Sequence, residues 1–138
     1  MFSKNEIIQK LEQYFHHKPH ISFVFLFGSV ADENTHRDSD IDLGIYFEPQ
    51  GKEIEWEVDI HYVDEDTIWL ELEKLLGNTI DLLVLNRIPA FTADNIIRNG
   101  IPIIIKDNKI FLEYMLRVTM EATDYREQIL EFWRKKVA

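Results

Sequence analysis

Phe25-Leu-Phe-Gly-Ser-Val-Ala31, running on to Arg37-Asp-Ser-Asp-Ile-Asp-Leu43, is the stretch around which the rest of the chain is organised. An apolar run from Ile21 to Phe27 stops at Gly28-Ser29, and Asp40-Ile41-Asp42 then opens a second apolar run through Tyr46 and Phe47. Short apolar runs bounded by turn residues read as buried strands, so this is strand, Gly-Ser turn, acidic-tipped strand. Alternate side chains of a strand share a face, which puts Asp40 and Asp42 together and turns Ile41 into the core. Two carboxylates side by side at the start of a core strand repel each other and resist losing water. A hard divalent cation bound through oxygen is the simplest partner for them.

Composition narrows the field. At 138 residues, with 46% hydrophobic and 29% charged, the chain has the make-up of one soluble globular domain with a real core. It carries 25 acids against 15 Lys and Arg, a net charge of -10. That surface is repelled by a phosphate backbone, which disfavours general nucleic-acid binding and suits a basic protein partner. With no cysteine there is no disulfide, thiolate metal site or Cys nucleophile. Met1 to Glu6 is polar and charged, unlike a signal peptide, and no apolar stretch reaches membrane-spanning length. The expectation is a cytoplasmic protein away from membranes.

Outward from the central stretch, Ser3 and Glu6 have capping-box spacing, and Ile7, Ile8, Leu11, Tyr14 and Phe15 share a helical face. Pro19 predicts that this helix ends before His16. Ile21 to Phe27 does not alternate, so it is buried on both faces. A short helix begins after Ser29. Pro49-Gln-Gly51 is a turn, and Ile54 to Ile60 alternates as an edge strand does. Asp64 caps a helix carrying Ile68, Leu72, Leu75 and Leu76, with Gly77-Asn78 closing it. Ile80 to Leu85 is a third buried strand, bearing Asp81 near its start. Pro89 to Asn99 is a short helix closed by Gly100, and Ile101 to Ile105 is an edge strand, since Pro102 cannot donate to a ladder. From Asn108 to Lys136 the pattern is one helix of roughly 40 Å. Phe111, Met115, Val118, Ala122, Tyr125, Ile129 and Phe132 form a heptad-like seam along it. The expected fold is α/β (α+β), a mixed, mostly antiparallel sheet of four or five strands backed by helices. We read residues 1–138 as one domain, with a core over 2–107 and the long helix over 108–136.

Asp40, Asp42 and Asp81 each sit in or at the start of an apolar strand. If those strands are neighbours, three carboxylates converge on one edge of the sheet. Such a cluster can hold two divalent metals that clamp the attacking and leaving oxygens of a displacement at phosphorus, a role that suits Mg²⁺. Gly28 lets a phosphate approach the backbone, and the Ser29 hydroxyl with the following amides can hold it. This is the equipment of nucleotidyl transfer. Each part has an ordinary explanation, since Gly-Ser is a common turn and a lone Asp81 is a solvated strand-end acid. Together those explanations leave two acids on one face and a third on another core strand unaccounted for.

Gly28-Ser29, ten residues, then Asp40-x-Asp42, with Asp81 inside a later apolar strand, resembles the DNA polymerase β-type nucleotidyltransferase superfamily. Within it, the chain is similar to the minimal nucleotidyltransferase (MNT) proteins that act as antitoxins of HEPN toxins. The resemblance covers Phe2 to about Leu112. It implies that Asp40, Asp42 and Asp81 are the catalytic, metal-holding carboxylates and that Gly28 and Ser29 bind the triphosphate. It further implies AMP transfer from ATP, with Mg²⁺, to a tyrosine of a partner HEPN ribonuclease, which silences that toxin. No second substrate domain is visible, so a partner protein would bring the acceptor. The rival reading is a non-catalytic acidic antitoxin that neutralises its toxin by occlusion alone. A third, transfer to a small molecule, is weakened by the missing second domain.

Other residues have competing readings. His36 is as well explained by a solvated loop as by phosphate contact, and Arg37 could touch phosphate. Arg98 and Lys106 are candidate triphosphate contacts, though a cation at a helix C-terminus explains Arg98 equally. His16, His17 and His20 read as a solvated linker rather than a metal cluster. Trp56, Trp69 and Trp133 read as core or interface. The seam of the last helix is expected to pack on its own sheet, with partner contact as the second reading.

Overall fold

The computed structural model describes residues 2–31, 40–48, 61–62 and 64–137. His36, Arg37, Trp56, the turn at Pro49-Gln-Gly51 and the fifth strand expected over Ile54 to Ile60 lie outside them. Among the described residues the elements run in the order α1 (Lys4–His16), β1 (Ile21–Phe27), α2 (Gly28–Ala31), β2 (Ile41–Phe47), α3 (Glu65–Leu76), β3 (Ile80–Val84), α4 (Ala90–Asn99), β4 (Ile101–Ile105) and α5 (Asn108–Val137). Among the described residues the sheet has four strands in the order β3-β2-β1-β4. β1 pairs antiparallel with β2 and β4, while β2 pairs parallel with β3. This is the mixed, mostly antiparallel architecture the sequence predicts, with β4 at an edge. No described helix is long and apolar enough to cross a membrane.

Local rules explain the element ends. Ser3 Oγ accepts from the Glu6 amide at 3.2 Å and Glu6 Oε1 accepts from the Ser3 amide at 3.2 Å, a complete capping box. α1 runs one residue further than Pro19 suggests, through His16. α3 ends as expected at Gly77, whose left-handed backbone (φ +68°) lets its amide reach the Glu73 carbonyl. Asp64 precedes α3 without a side-chain capping bond. Instead the buried Glu65 carboxylate accepts from the Tyr62 amide and from both terminal nitrogens of Arg87.

The sheet is covered on both faces. Ile41, Leu43, Ile45 and Phe47 of β2 join Ile7, Leu11 and Phe15 of α1 and Ile68, Leu72 and Leu76 of α3 in one cluster. Tyr46 turns the other way, to Phe23 and Phe25 of β1, Ala93 and Ile96 of α4, and Tyr114 and Val118 of α5. Phe23 stacks on Tyr46 at 4.7 Å and meets the Tyr114 ring edge-on at 5.2 Å. Tyr114 donates its hydroxyl to the Leu85 carbonyl at 2.8 Å, tying α5 to the end of β3. β1 is buried on both faces because both clusters draw on it.

The long helix divides in two. Val118 and Ala122 are buried and Phe111 and Met115 half-buried, so the first part of the seam packs on its own sheet as expected. From Thr123 to Val137 every residue is exposed, including Tyr125, Ile129 and Phe132 of the same seam.

Candidate active site

Strand pairing assembles the site. Asp42 is the cross-strand partner of Phe27 on β1, immediately before Gly28, and of Asp81 on β3. The parallel register Ile41↔Ile80, Asp42↔Asp81 therefore sets two acids from distant parts of the chain side by side. Asp40 stands just before β2, exposed, and two residues from Asp42, on the same face. All three acids lie at the sheet end where β1 finishes and β2 and β3 begin. The structure thus brings Gly28, Ser29, Asp40, Asp42 and Asp81 together at one edge.

Gly28 has φ +75°, in the left-handed region. A Cβ built on it would stand 2.0 Å from Asp42 Oδ2. The left-handed backbone favours glycine here, and a side chain at this position would also have to displace the Asp42 carboxylate. Ser29 follows in α2, whose described residues Val30 and Ala31 are buried in the α1–α3 cluster.

The electrostatics mark Asp42. Its carboxyl is pushed up from 3.8 to about 6, first by burial, then by the charges of Asp81 and Asp40 and a hydrogen bond with Asp81. Like charges held together by a fold are what a cation would relieve. The donor set is all carboxylate oxygen, which fits a hard divalent ion. Among the described residues no three His, Cys, Asp or Glu side chains are drawn close enough together to bind a single ion, so the closed part of the cluster is the Asp42–Asp81 pair.

The other sequence candidates have partners of their own. The Lys106 amide donates to the Ser22 carbonyl, and its ammonium contacts the Lys18 carbonyl. Both lie at the start of β1, the end opposite Gly28, so Lys106 is not a triphosphate contact in this structure. Arg98 gives its Nε to Asp94 at 3.0 Å, and Arg126 shares the same buried carboxylate at 2.9 Å. This network escaped the sequence reading, because residues 94 and 126 meet only through packing of α4 on α5. His16 and His17 close α1 with their rings edge to face at 5.2 Å, in keeping with the linker reading. Trp69 and Trp133 are exposed, which removes the core reading for both.

One contact near the site had no signal in the sequence. Lys4 Nζ donates to the Ala31 carbonyl at 2.9 Å, bridging 27 residues between α1 and α2.

No characterised protein sequence matches this chain significantly. Among solved structures, a toxin–antitoxin crystal structure with AMP-PNP is 16% identical and has a TM-score of 0.68, over 99% of this chain and 100% of that one. The MntA-HepT toxin–antitoxin crystal structure is 14% identical, with a TM-score of 0.61 over 98% of this chain and 97% of that one. A structure of the tri-AMPylated Shewanella oneidensis HEPN toxin in complex with MNT antitoxin is 14% identical, with a TM-score of 0.61 over 98% and 96%. These likenesses establish a shared fold. The family model described as Polymerase beta, Nucleotidyltransferase matches residues 9–109, which span β1, the Gly28-Ser29 turn and all three acids. Since that match takes in well over half of the chain, the protein belongs to the polymerase β nucleotidyltransferase family.

Proposed function

We propose that this chain is a single-domain minimal nucleotidyltransferase antitoxin, which transfers AMP from ATP to a hydroxyl, a tyrosine's, of a partner HEPN ribonuclease and so silences it. The observation that carries the reading is the pairing of Asp42 with Asp81 beside Gly28, whose left-handed backbone and contact with the Asp42 carboxylate favour glycine. Complexes of similar fold that hold AMP-PNP or an AMPylated toxin support the choice of nucleotide and acceptor.

In this reading Asp40, Asp42 and Asp81 would hold Mg²⁺, two ions, with the Asp42–Asp81 pair already in place and Asp40 drawn in by the ions. Bound there, the metal offsets the charge of the triphosphate and of the pyrophosphate that departs. Gly28 leaves room for phosphate oxygens against the backbone, and Ser29 supplies a hydroxyl to orient them. The acceptor oxygen attacks the α-phosphorus, the bond from that phosphorus to the β-phosphate oxygen breaks, and the acceptor proton passes to a carboxylate. In this reading Asp42 or Asp81 receives it.

The test is intact-mass spectrometry of the neighbouring gene's product after incubation with this protein, ATP and Mg²⁺. One or more AMP units should appear. The Asp40→Asn/Asp42→Asn variant should lose at least about 10²–10³-fold in rate while keeping its fold by circular dichroism. A pair that binds and silences the toxin without any gain in mass would replace this reading with occlusion.

A further inference from the structure

We propose that residues 123–137, the exposed half of α5, are a self-association surface on which a second copy of this chain lies antiparallel; the inference stands apart from the nucleotide reading. Among the described residues every position of this half is exposed. Tyr125, Ile129 and Phe132 continue the seam whose Val118 and Ala122 are buried. Trp133, four positions on from Ile129, widens it, and Leu130 lies three before Trp133. These five side chains are 40–57% exposed. At about 150–250 Å² for a fully buried aromatic, they offer roughly 500 Å² per copy. Two copies together reach the roughly 1,000 Å² that a specific interface needs. An apolar patch of this size marks an interaction site.

The charges decide which partner fits. In a pair of helices the seam is flanked by the positions beside it, here Arg126 and Trp133 on one side and Gln128 and Lys135 on the other. No acid stands among them, and Lys136 falls in the seam itself. The acids of this half, Asp124, Glu127 and Glu131, lie on the outer face, where Glu131 pairs with Arg134 at 3.1 Å. A basic partner would meet like charge along the whole seam. A second copy of this chain avoids that when the two helices run in opposite directions.

Antiparallel overlap of the two exposed halves sets Ile129 of each copy against Phe132 of the other, and Tyr125 against Lys136. Trp133 then falls beside Arg126, so cations meet aromatic rings. Both cations already take rings within their own chain, Arg126 over Phe91 at 5.4 Å and Lys136 over Phe132 at 5.3 Å. Every contact recurs with the copies exchanged, as a two-fold pair requires. A parallel pair would instead stack Lys136 on Lys136 and bring two acidic bodies side by side. The antiparallel pair holds those bodies apart by the length of residues 123–137, roughly 22 Å. That is more than twice the roughly 8–10 Å over which salt screens charge.

The experiment is sedimentation velocity of the full chain alone, from about 1 to about 300 µM, the range in which an interface at the small end of the specific class assembles. The unmodified chain should pass from monomer to dimer. Ile129→Glu puts a charge at the centre of the seam and should weaken association at least about a hundredfold. Ile129 is exposed in the single chain, so the variant should keep its circular dichroism and, at the lowest concentration, its melting temperature. Disulfide trapping reads the direction, since the chain has no cysteine of its own. Tyr125→Cys mixed with Lys136→Cys should form a mixed dimer, and neither variant should join to itself. A monomer throughout, or an Ile129→Glu variant that dimerises like the unmodified chain, would overturn the inference. Lys136→Cys joining to itself would overturn the antiparallel arrangement. A monomeric chain whose Ile129→Glu variant loses its toxin would overturn self-association and give this face to the toxin.

Discussion

At the scale of single residues, Asp42 concentrates the tension of the site. Its folded-state pKa, about 6, stands above the 3.8 of an ordinary aspartate. Between those two pH values the folded chain keeps a proton that the unfolded chain has released. The stability it contributes is present below about pH 4, falls as pH rises toward 6, and does not return above. Asp42→Asn is neutral throughout, so it should melt higher than the unmodified chain at pH 7.5 without divalent ions. The gap should close toward pH 4.5. Thermal unfolding across that range checks this, and a gap independent of pH would contradict it. Mg²⁺ at pH 7.5 should raise the melting temperature of the unmodified chain and leave the variant nearly unmoved.

At the scale of elements, α5 does two different jobs along one continuous pattern. The seam from Phe111 to Ala122 packs under the sheet, and Tyr114 adds a buried hydrogen bond to Leu85. Beyond Ala122 the same spacing is exposed, and what ties its first turn to α4 is Arg126 on the Asp94 carboxylate and over the Phe91 ring at 5.4 Å, with Tyr125 against that ring at 5.9 Å. Truncation after Ala122 should therefore cost only about 2–4 kcal/mol, one charge-assisted bond and the exposed ring contacts on Phe91. Val118→Ala, by contrast, opens a cavity between α4 and α5 and should cost a comparable amount for the loss of only two methyl groups. Urea unfolding of both variants measures the pair. A collapse of cooperativity in the truncated chain would show that the exposed half matters to the fold. The sequence could not separate the two halves, since a heptad seam looks the same whether or not something covers it.

At the scale of the whole molecule, a charge of -10 shapes encounters more than it shapes the fold. The ribonuclease proposed as partner would present basic surface to attract RNA, so it should meet this chain faster than a neutral protein would. Raising salt from about 50 to about 500 mM should slow association by about tenfold or more, while any AMP already transferred stays in place. Stopped-flow mixing reads the rate; a salt-independent rate would remove charge as the steering force. Much of the molecule was legible in the chain alone. Strand and helix bounds followed from apolar runs, from the Ser3–Glu6 box and from Gly77, because these depend on neighbours within a few residues. The Gly28-Ser29 and Asp40-x-Asp42 spacing likewise named the chemistry, since alternation along one strand fixes which acids share a face. Tertiary structure alone decided that β3 lies parallel beside β2 with Asp81 level with Asp42, that Lys106 sits at the wrong end of β1, and that Lys4 reaches Ala31. Those contacts join residues dozens of positions apart, and what selects them is the burial of two apolar faces of one sheet, which no local pattern records.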